Sequence, residues 1–247
     1  MKHERIDISY VLDFQTAFHM GTGLRNGLIH RGIARDPDGF LFVPGSTIKG
    51  VLRDRATLVA NTLDLDVGYP HETADLHDFA VQADITALIF GSRFRPGTLF
   101  FDDAKLRAGD QALFDPPQRR GLFKTKQVEI RTQVSMSRMT GTARHQFLFN
   151  SEYGVPTIRF EGQITGLLSG TPMEQGMTTY SGLLLLAALA YVDGLGGSKS
   201  SGAGHVACTV TTFSVDGVQI RVDDVLALLP DFEYYHIAVE LEEDTSN

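Results

Sequence analysis

The sequence contains little of what secreted or membrane-anchored proteins carry. It has one cysteine, Cys208, and no tryptophan among 247 residues, so an internal disulfide is excluded. Its most apolar segment, residues 183–192, has half the length of the ~20-residue stretch that spans a bilayer. Met1 is followed by a polar triplet and then a strand-like run, without the apolar core of a secretory signal. These absences predict a cytoplasmic protein without a membrane partner.

Positive charge is also scarce, because the formal net charge is −8. The distribution of charge along the chain decides whether this net charge excludes a nucleic-acid partner. From Asp216 onward there are nine acidic residues and one basic residue, so residues 1–215 are neutral, with 21 charges of each sign. Residues 119–145 contain seven Lys or Arg and one acid. Screening over ~8–10 Å isolates this basic segment from distant acids, so it is either a solvated loop or a phosphate-binding surface.

Hydrophobic patterning predicts an α+β fold. The first strand is indicated by apolar residues at every second position; they are Ile6, Ile8, Tyr10, Leu12 and Phe14. Helices are predicted after Ser46, interpreted as an N-cap, and over residues 79–90 and 176–193. The last of these is apolar nearly all round and is expected to be central.

The order of elements is strand, helix, strand, strand, helix, strand, with polar insertions between them. This order fits a ferredoxin-like sheet, the architecture of RRM domains, with helices on one face. We expect a single domain over residues 1–247, with insertions at about 62–78 and 105–150 and a final strand near 235–241.

A glycine-rich loop, residues 194–204, contains five glycines, three serines and Lys199. Glycines let a backbone approach a ligand closely, and successive N–H groups form anion-binding concavities. A P-loop requires glycine before the lysine, where Ser198 stands, and this loop follows a predicted helix instead of opening one. Two interpretations of this loop therefore remain. It is either a plain linker between a helix and a strand or a segment that contacts phosphate and sugar.

A second motif, residues 44–53, reads Pro-Gly-Ser-Thr-Ile-Lys-Gly-Val-Leu-Arg. It places a helix N-terminus after a turn, where free N–H groups favour an anion. Lys49 and Arg53 are four residues apart and share one helix face. The alternative is an ordinary helix with a solvated basic face.

Together these motifs resemble the repeat-associated mysterious protein (RAMP) superfamily. His-Met-Gly-Thr-Gly at residues 19–23 precedes the second motif, and the glycine-rich loop follows far downstream. Between them, residues 89–92 with 99–104, and residues 131–138 with 140–143, are similar to the family's central segments. The resemblance covers roughly residues 8–210, and four pieces in this order are specific.

Within that superfamily the chain looks most like the Cas-seven-like backbone subunits of type III CRISPR complexes. The resemblance implies an RRM-like palm, a thumb-like β-hairpin and copies that stack along a crRNA, with target RNA and other effector subunits as partners. It implies RNA contacts for Gly45, Ser46, Lys49, Arg53, Lys124, Lys126, Arg131, Arg138, Gly196, Gly197, Ser198, Lys199 and Ser200.

The chain departs from the family where target RNA is cut. The family's catalytic aspartate is expected five residues before the Arg35-Asp36 pair, and His30 occupies that position. One interpretation is a subunit that binds without cutting. In another, His30 acts as a general base towards a 2′-hydroxyl. In a third, Asp36 or Asp38 is catalytic, and a divalent metal such as magnesium is needed wherever RNA is cleaved.

Two further functional classes remain open. A target-RNA endoribonuclease subunit is the enzymatic alternative, and a structural capping subunit that meets proteins more than RNA is the other. His71 and His77 lie six residues apart in a polar insertion, as either a weak metal site or a solvated loop. A structural zinc is not expected, because there is no cysteine cluster.

Overall fold

The computed structural model describes residues 1–23, 27–65, 67, 84–92, 95–174 and 176–239, with the backbone alone at 145–147. The strands are β1 (Lys2–Phe14), β2 (Phe42–Val43), β3 (Leu99–Phe101), β4 (Ala104–Leu106), β5 (Val128–Met136), β6 (Ala143–Gly154), β7 (Arg159–Gly170), β8 (Val206–Val215) and β9 (Val218–Gln219). The α-helices are α1 (Gly45–Thr62), α2 (Ile85–Phe90), α3 (Ala108–Phe114), α4 (Tyr180–Ala190) and α5 (Val222–Leu226).

A seven-stranded sheet has the order β2-β4-β7-β1-β8-β9, and β3 also pairs with β7. Strand β1 lies at its centre, antiparallel to β7 from Lys2↔Gly170 to Asp13↔Arg159 and antiparallel to β8 on its other side. The strands β8-β1-β7-β4 reproduce the order of a ferredoxin-like sheet. Helix α1 lies in the connection from β1 to β4, which crosses β7, and α4 lies in the connection from β7 to β8, which crosses β1. The predicted fold class is confirmed.

The core lies between the sheet and a layer of helices. The alternation predicted for β1 is confirmed, since Ile6, Ile8 and Phe14 are fully buried. Helix α4 is buried on all sides until Ala190, and it packs against α1, α2, β7 and β8. Within the described ranges, no helix is both long and apolar enough to cross a bilayer.

Helix α4 begins later than the sequence pattern predicts, at Tyr180. Thr179 is its N-cap and accepts a hydrogen bond from the Gly182 amide. The carboxylate of Glu4, which is fully buried, accepts hydrogen bonds from the Thr179 amide at 3.1 Å and the Thr178 hydroxyl at 2.6 Å. A negative group at this helix terminus is stabilising, and it fixes the beginning of β1 against α4.

Two local predictions are wrong. Ser46 is not an N-cap, because α1 begins at Gly45 and the N-cap position is Pro44, which makes no side-chain capping hydrogen bond. The final strand near 235–241 is absent as far as the structure describes this region, and residues 235–239 are helical. Tyr235 and Phe232 both pack on the Tyr180 ring, at 5.2 and 5.3 Å between centroids. Their three-residue spacing is that of neighbours on one helix face.

Strands β5 and β6 form a separate antiparallel hairpin between β4 and β7. Its base joins the main body, where Gly154 pairs with Phe18 and a Cβ on Gly154 would lie 2.3 Å from the Phe18 ring. Met139 at its tip is 97% exposed. A thumb-like hairpin is therefore present. The predicted insertion at 62–78 lies mostly outside the described residues, as do His71 and His77.

Candidate nucleic-acid interface

The loop that follows β1, described at residues 15–23 and 27–34, contacts the outer edge of β6. The His30 amide donates to the Asn150 carbonyl at 2.9 Å, and the Glu152 amide donates to the Arg31 carbonyl at 3.0 Å. Phe18 pairs with Gly154 nearer the base of the hairpin. This first loop therefore acts as a short third strand beside the hairpin, and it holds His30 and Arg31 in place.

The glycine-rich loop packs on this first loop through backbone hydrogen bonds. The Gly197 amide donates to the His19 carbonyl at 2.9 Å, and the Gly204 amide donates to the Ala17 carbonyl at 2.8 Å. Gly196 has φ +87°, and a Cβ there would lie 2.5 Å from the His19 carbonyl oxygen. The close approach of the two backbones therefore requires glycine at position 196.

Helix α1 forms the third wall of the site. Its first amide, that of Gly45, donates to the Asp103 carboxylate at 2.8 Å, so an internal carboxylate already occupies the anion-favouring position of this helix. Thr47 and Val51, four residues apart on one face, point towards the glycine-rich loop and line the space between them.

These three segments line an open cleft with a volume of about 510 Å³. Its lining includes five glycines and the cation Arg31, whose guanidinium lies 3.0 Å from the position of a Cβ on Gly197. The described lining residues are His19, Met20, Gly21, Gly23, His30, Arg31, Gly32, Thr47, Val51, Gly196 and Gly197, and none of them is acidic. The cleft thus combines exposed backbone with positive charge, which suits a phosphodiester chain.

An ion pair beneath the cleft ties the first loop to the hairpin. Arg35 donates to both carboxylate oxygens of Glu152, at 3.0 and 3.2 Å, and the Ile33 amide donates to the same carboxylate at 3.1 Å. Burial raises the pKa of Glu152, but these hydrogen bonds outweigh burial and hold the pKa below its ordinary value. The pair therefore links the first loop to β6 of the hairpin.

The two histidines of the cleft carry their protons on different nitrogens. His19 Nδ1 lies 2.7 Å from the Glu152 carbonyl oxygen, and because a carbonyl only accepts, Nδ1 carries the proton. Burial lowers the pKa of His19, against the opposing effect of this hydrogen bond, so its ring is neutral at pH 7. His30 Nδ1 accepts from the Asn150 amide at 3.2 Å, so the proton of its neutral ring is on Nε2.

Comparison with known families matches the RAMP superfamily over residues 11–207, about four fifths of the chain. The chain belongs to the RAMP superfamily. A chain of a solved structure described as "Cryo-EM structure of the Type III-B Cmr-beta bound to cognate target RNA" is similar in fold, with a TM-score of 0.57 and 12% sequence identity. The similarity covers 89% of this RAMP protein and 98% of that chain. No curated protein matches the sequence.

Lys49 and Arg53 of this RAMP protein lie on a different face of α1 from the cleft. Lys49 Nζ is 5.7 Å from the centroid of the Phe101 ring, and the Arg53 guanidinium stacks on Phe90 at 5.6 Å and donates to the Gly91 carbonyl. Burial lowers the pKa of both groups, and for Lys49 the neighbouring Arg53 adds to the effect. Neither side chain lines the cleft.

The other predicted contacts separate into two sets. Gly196 and Gly197 line the cleft with His30, whereas Gly45 is buried, and Ser46, Lys199 and Ser200 are exposed outside the lining. Ser198 has φ +64°, and its hydroxyl accepts from Tyr153 at 3.1 Å at the base of the hairpin.

Four predicted cations lie on or near the hairpin. Lys124 is held by internal contacts, at 2.8 Å to the Asp38 carbonyl and 3.2 Å to the Asp115 carboxylate. Arg131 stacks on the Tyr153 ring at 4.7 Å. Lys126 and Arg138 are exposed, and Arg138 is at the turn of the hairpin. Exposed cations therefore lie just before the first strand of the hairpin and at its turn.

The candidate catalytic residues are not together. His30 lines the cleft, whereas the Asp36 carboxylate accepts the Phe40 amide at 2.8 Å and closes a tight turn. Asp38 is exposed in that turn. Among the described residues, no three His, Cys, Asp or Glu side chains form a metal-binding group. Since Mg²⁺ prefers carboxylate oxygens, the described lining residues of the cleft, which include no acid, do not fit a magnesium site.

Sequence reasoning missed Arg31 and the contribution of His19. Arg31 is next to His30 and is the exposed cation among the described lining residues of the cleft. His19 is 4% exposed, and its ring joins the first loop to the Glu152 carbonyl of β6. A cation between glycines in a loop that faces a second glycine-rich loop is the signal that identifies Arg31.

Proposed function

We propose that this RAMP protein is a crRNA-binding backbone subunit of a type III CRISPR interference complex, which holds the guide and helps to position target RNA without cutting it. The observation that carries the proposal is the cleft. In a chain with a net charge of −8, its described lining has five glycines, Arg31 and no acid. Such a lining approaches a sugar-phosphate backbone closely without repelling it.

Contacts of this kind give affinity without reading sequence, because they reach phosphates instead of base edges. A subunit that serves any guide needs that property. The hairpin supports the same function, since exposed Lys126 and Arg138 lead from the body to its tip. The fold is shared with a chain from a complex described as bound to cognate target RNA.

The proposed partners are crRNA, target RNA and other effector subunits, including further copies of this chain along the guide. The proposed location is the cytoplasm, where such complexes meet foreign transcripts. The purely structural capping subunit remains the competing non-enzymatic function, and RNA binding separates the two.

Fluorescence anisotropy with a labelled single-stranded RNA tests the proposal across a range of salt concentrations. We expect Arg31→Ala to weaken binding about five- to tenfold and to lower the salt slope by about 0.7, the value of one phosphate contact on a single strand. Lys105→Ala is the matched control, because Lys105 is exposed on β4 and does not line the cleft. Equal binding by both variants and the parent chain would refute the cleft as the guide site.

A second candidate, a target-RNA endoribonuclease, is favoured by one observation: His30 lines the cleft. Incubating the assembled complex with labelled complementary RNA separates the candidates. Regularly spaced products that disappear in His30→Ala would overturn the non-cleaving function. Repeating the reaction with magnesium and then with a chelator shows whether cutting needs a metal.

A further inference from the structure

The outer edge of β8 has no partner over most of its length within the described part of the chain. Strand β9 pairs only with Ser214 and Val215, and the last bond on this side is donated by the Ile220 amide to the Phe213 carbonyl at 2.9 Å. Beyond that point the chain turns away into α5. Edge strands are usually blunted by charges or proline, yet β8 reads VACTVTTFSV and has neither.

The direction of the free backbone groups follows from their neighbours. Two hydrogen bonds identify backbone groups of β8 that point away from β1. The Val206 amide donates to the Asp193 carbonyl at 3.1 Å, and the Phe213 carbonyl accepts from the Ile220 amide. Between them the register with β1 shifts at Thr211, which forms a bulge and donates its hydroxyl to the Ser9 carbonyl. Because outward groups alternate along an antiparallel strand, the N–H and C=O groups of Cys208 and Val210 face outward.

An open groove of about 660 Å³ runs beside this edge. The apolar part of its helix-side wall is formed by Leu186, Ile220 and Val222, while Thr209 and Thr212 lie on the strand side. A strand added to β8 would place alternate side chains into this groove and the others on the open face of the sheet. The site thus fits an extended segment whose alternate residues are apolar.

Charge around the groove selects the remaining residues of that segment. Asp223 lines the groove, and Asp224 and Asp216 follow close by in the chain. On the open face, Asp13 is the cross-strand neighbour of Ala207. Arg221 also lines the groove and lies 4.0 Å from the Asp224 carboxylate, and it is the one Lys or Arg beside five acids in residues 216–239. The acidic surroundings favour an occupant with Lys or Arg and disfavour RNA.

We propose that β8 is a docking edge for a partner protein, which adds an extended segment of alternating apolar and basic residues as an extra strand. Main-chain hydrogen bonds to Cys208 and Val210 supply affinity, and the groove and its acidic rim supply specificity. This contact is to protein, on a surface separate from the cleft, and it does not depend on RNA binding.

The test uses the full chain and a synthetic probe, acetylated and amidated Lys-Val-Lys-Val-Lys-Val-Lys. We expect the probe to slow hydrogen exchange of the Cys208 and Val210 amides, measured by NMR, and to bind in an anisotropy assay. The same peptide fully N-methylated on its backbone keeps its charge and loses its ladder donors. It should bind at least tenfold more weakly, since each backbone hydrogen bond is worth about fivefold.

The contribution of charge is tested by Asp223→Asn, which should weaken probe binding about threefold. The control is Asp54→Asn, on the exposed side of α1, which should leave probe binding unchanged. Unchanged exchange at Cys208 and Val210, or equal binding of the methylated probe or of a Glu-Val probe, would overturn the proposal.

Three other occupants are separate outcomes that would each overturn it. Protection that rises with protein concentration identifies a second copy, protection lost when residues 240–247 are deleted identifies the chain's own end, and protection by single-stranded RNA identifies a nucleic acid.

Discussion

The ion pair of Arg35 and Glu152 lets the attachment of the hairpin be measured. Glu152 accepts three hydrogen bonds, two from Arg35 and one from the Ile33 amide, and its side chain is 15% exposed. Hydrogen bonds to a charged group contribute roughly 1.5–3 kcal/mol, and the 31% exposure of the Arg35 side chain places the pair near the lower end. We expect Arg35→Ala to cost about 2 kcal/mol of unfolding free energy and Glu152→Ala about 3 kcal/mol.

A double-mutant cycle isolates the interaction itself. Because both single variants remove the same ion pair, the double variant should be only slightly worse than Glu152→Ala, which gives a coupling energy of about 2 kcal/mol. Urea unfolding at pH 7 supplies the four free energies. The control cycle uses Arg131 and Glu129, whose side chains are 47% and 43% exposed, so its coupling should stay below about 1 kcal/mol. A first coupling no larger than the second would refute the role assigned to the Arg35 pair.

Two further predictions concern the contact of the loops. Gly196→Ala should lower stability by about 2–4 kcal/mol in urea unfolding, since φ is +87° and the new Cβ meets the His19 carbonyl. Gly202→Ala, at φ +81° with nothing within 4 Å, should cost only about 1 kcal/mol, and equal costs would contradict the clash. The depressed pKa of His19 means that the unfolded chain binds more protons just below pH 6.5, so stability is complete above that pH and falls as pH drops. His19→Gln should flatten this fall between pH 7.5 and 5.5, and an unchanged slope would assign it to another group.

The sheet was predictable because burial on one face imposes a period of two. The alternation of Ile6, Ile8 and Phe14 and the all-round apolar character of α4 determine which element is central, and element order then gives the ferredoxin-like topology. The end of the chain was not predictable in this way. Tyr235 belongs to a helical turn because it packs on Tyr180, a contact across 55 positions that no local pattern reveals.

The site was predictable as a set of loops but not as a set of side chains. Glycines at 196 and 197 mark a close backbone approach, and the structure brings them to the first loop. Lys49 and Arg53 share a helix face, as their spacing requires, but the sequence does not say which face meets the cleft. Packing decides that, and it turns Thr47 towards the cleft and both cations towards aromatic rings.

The arrangement of charge explains how an acidic chain can present a site for an anion. The acidic region begins at Asp216, whose carboxylate accepts the Arg5 amide near the start of β1. The cleft is built on residues that follow Phe14, at the other end of the same strand. Nine residue steps of extended chain separate Arg5 from Phe14, a span of about 30 Å, whereas the screening length in physiological salt is about 8 Å. Repulsion from Asp216 is therefore negligible at the cleft, where Arg31 is the cation of the described lining.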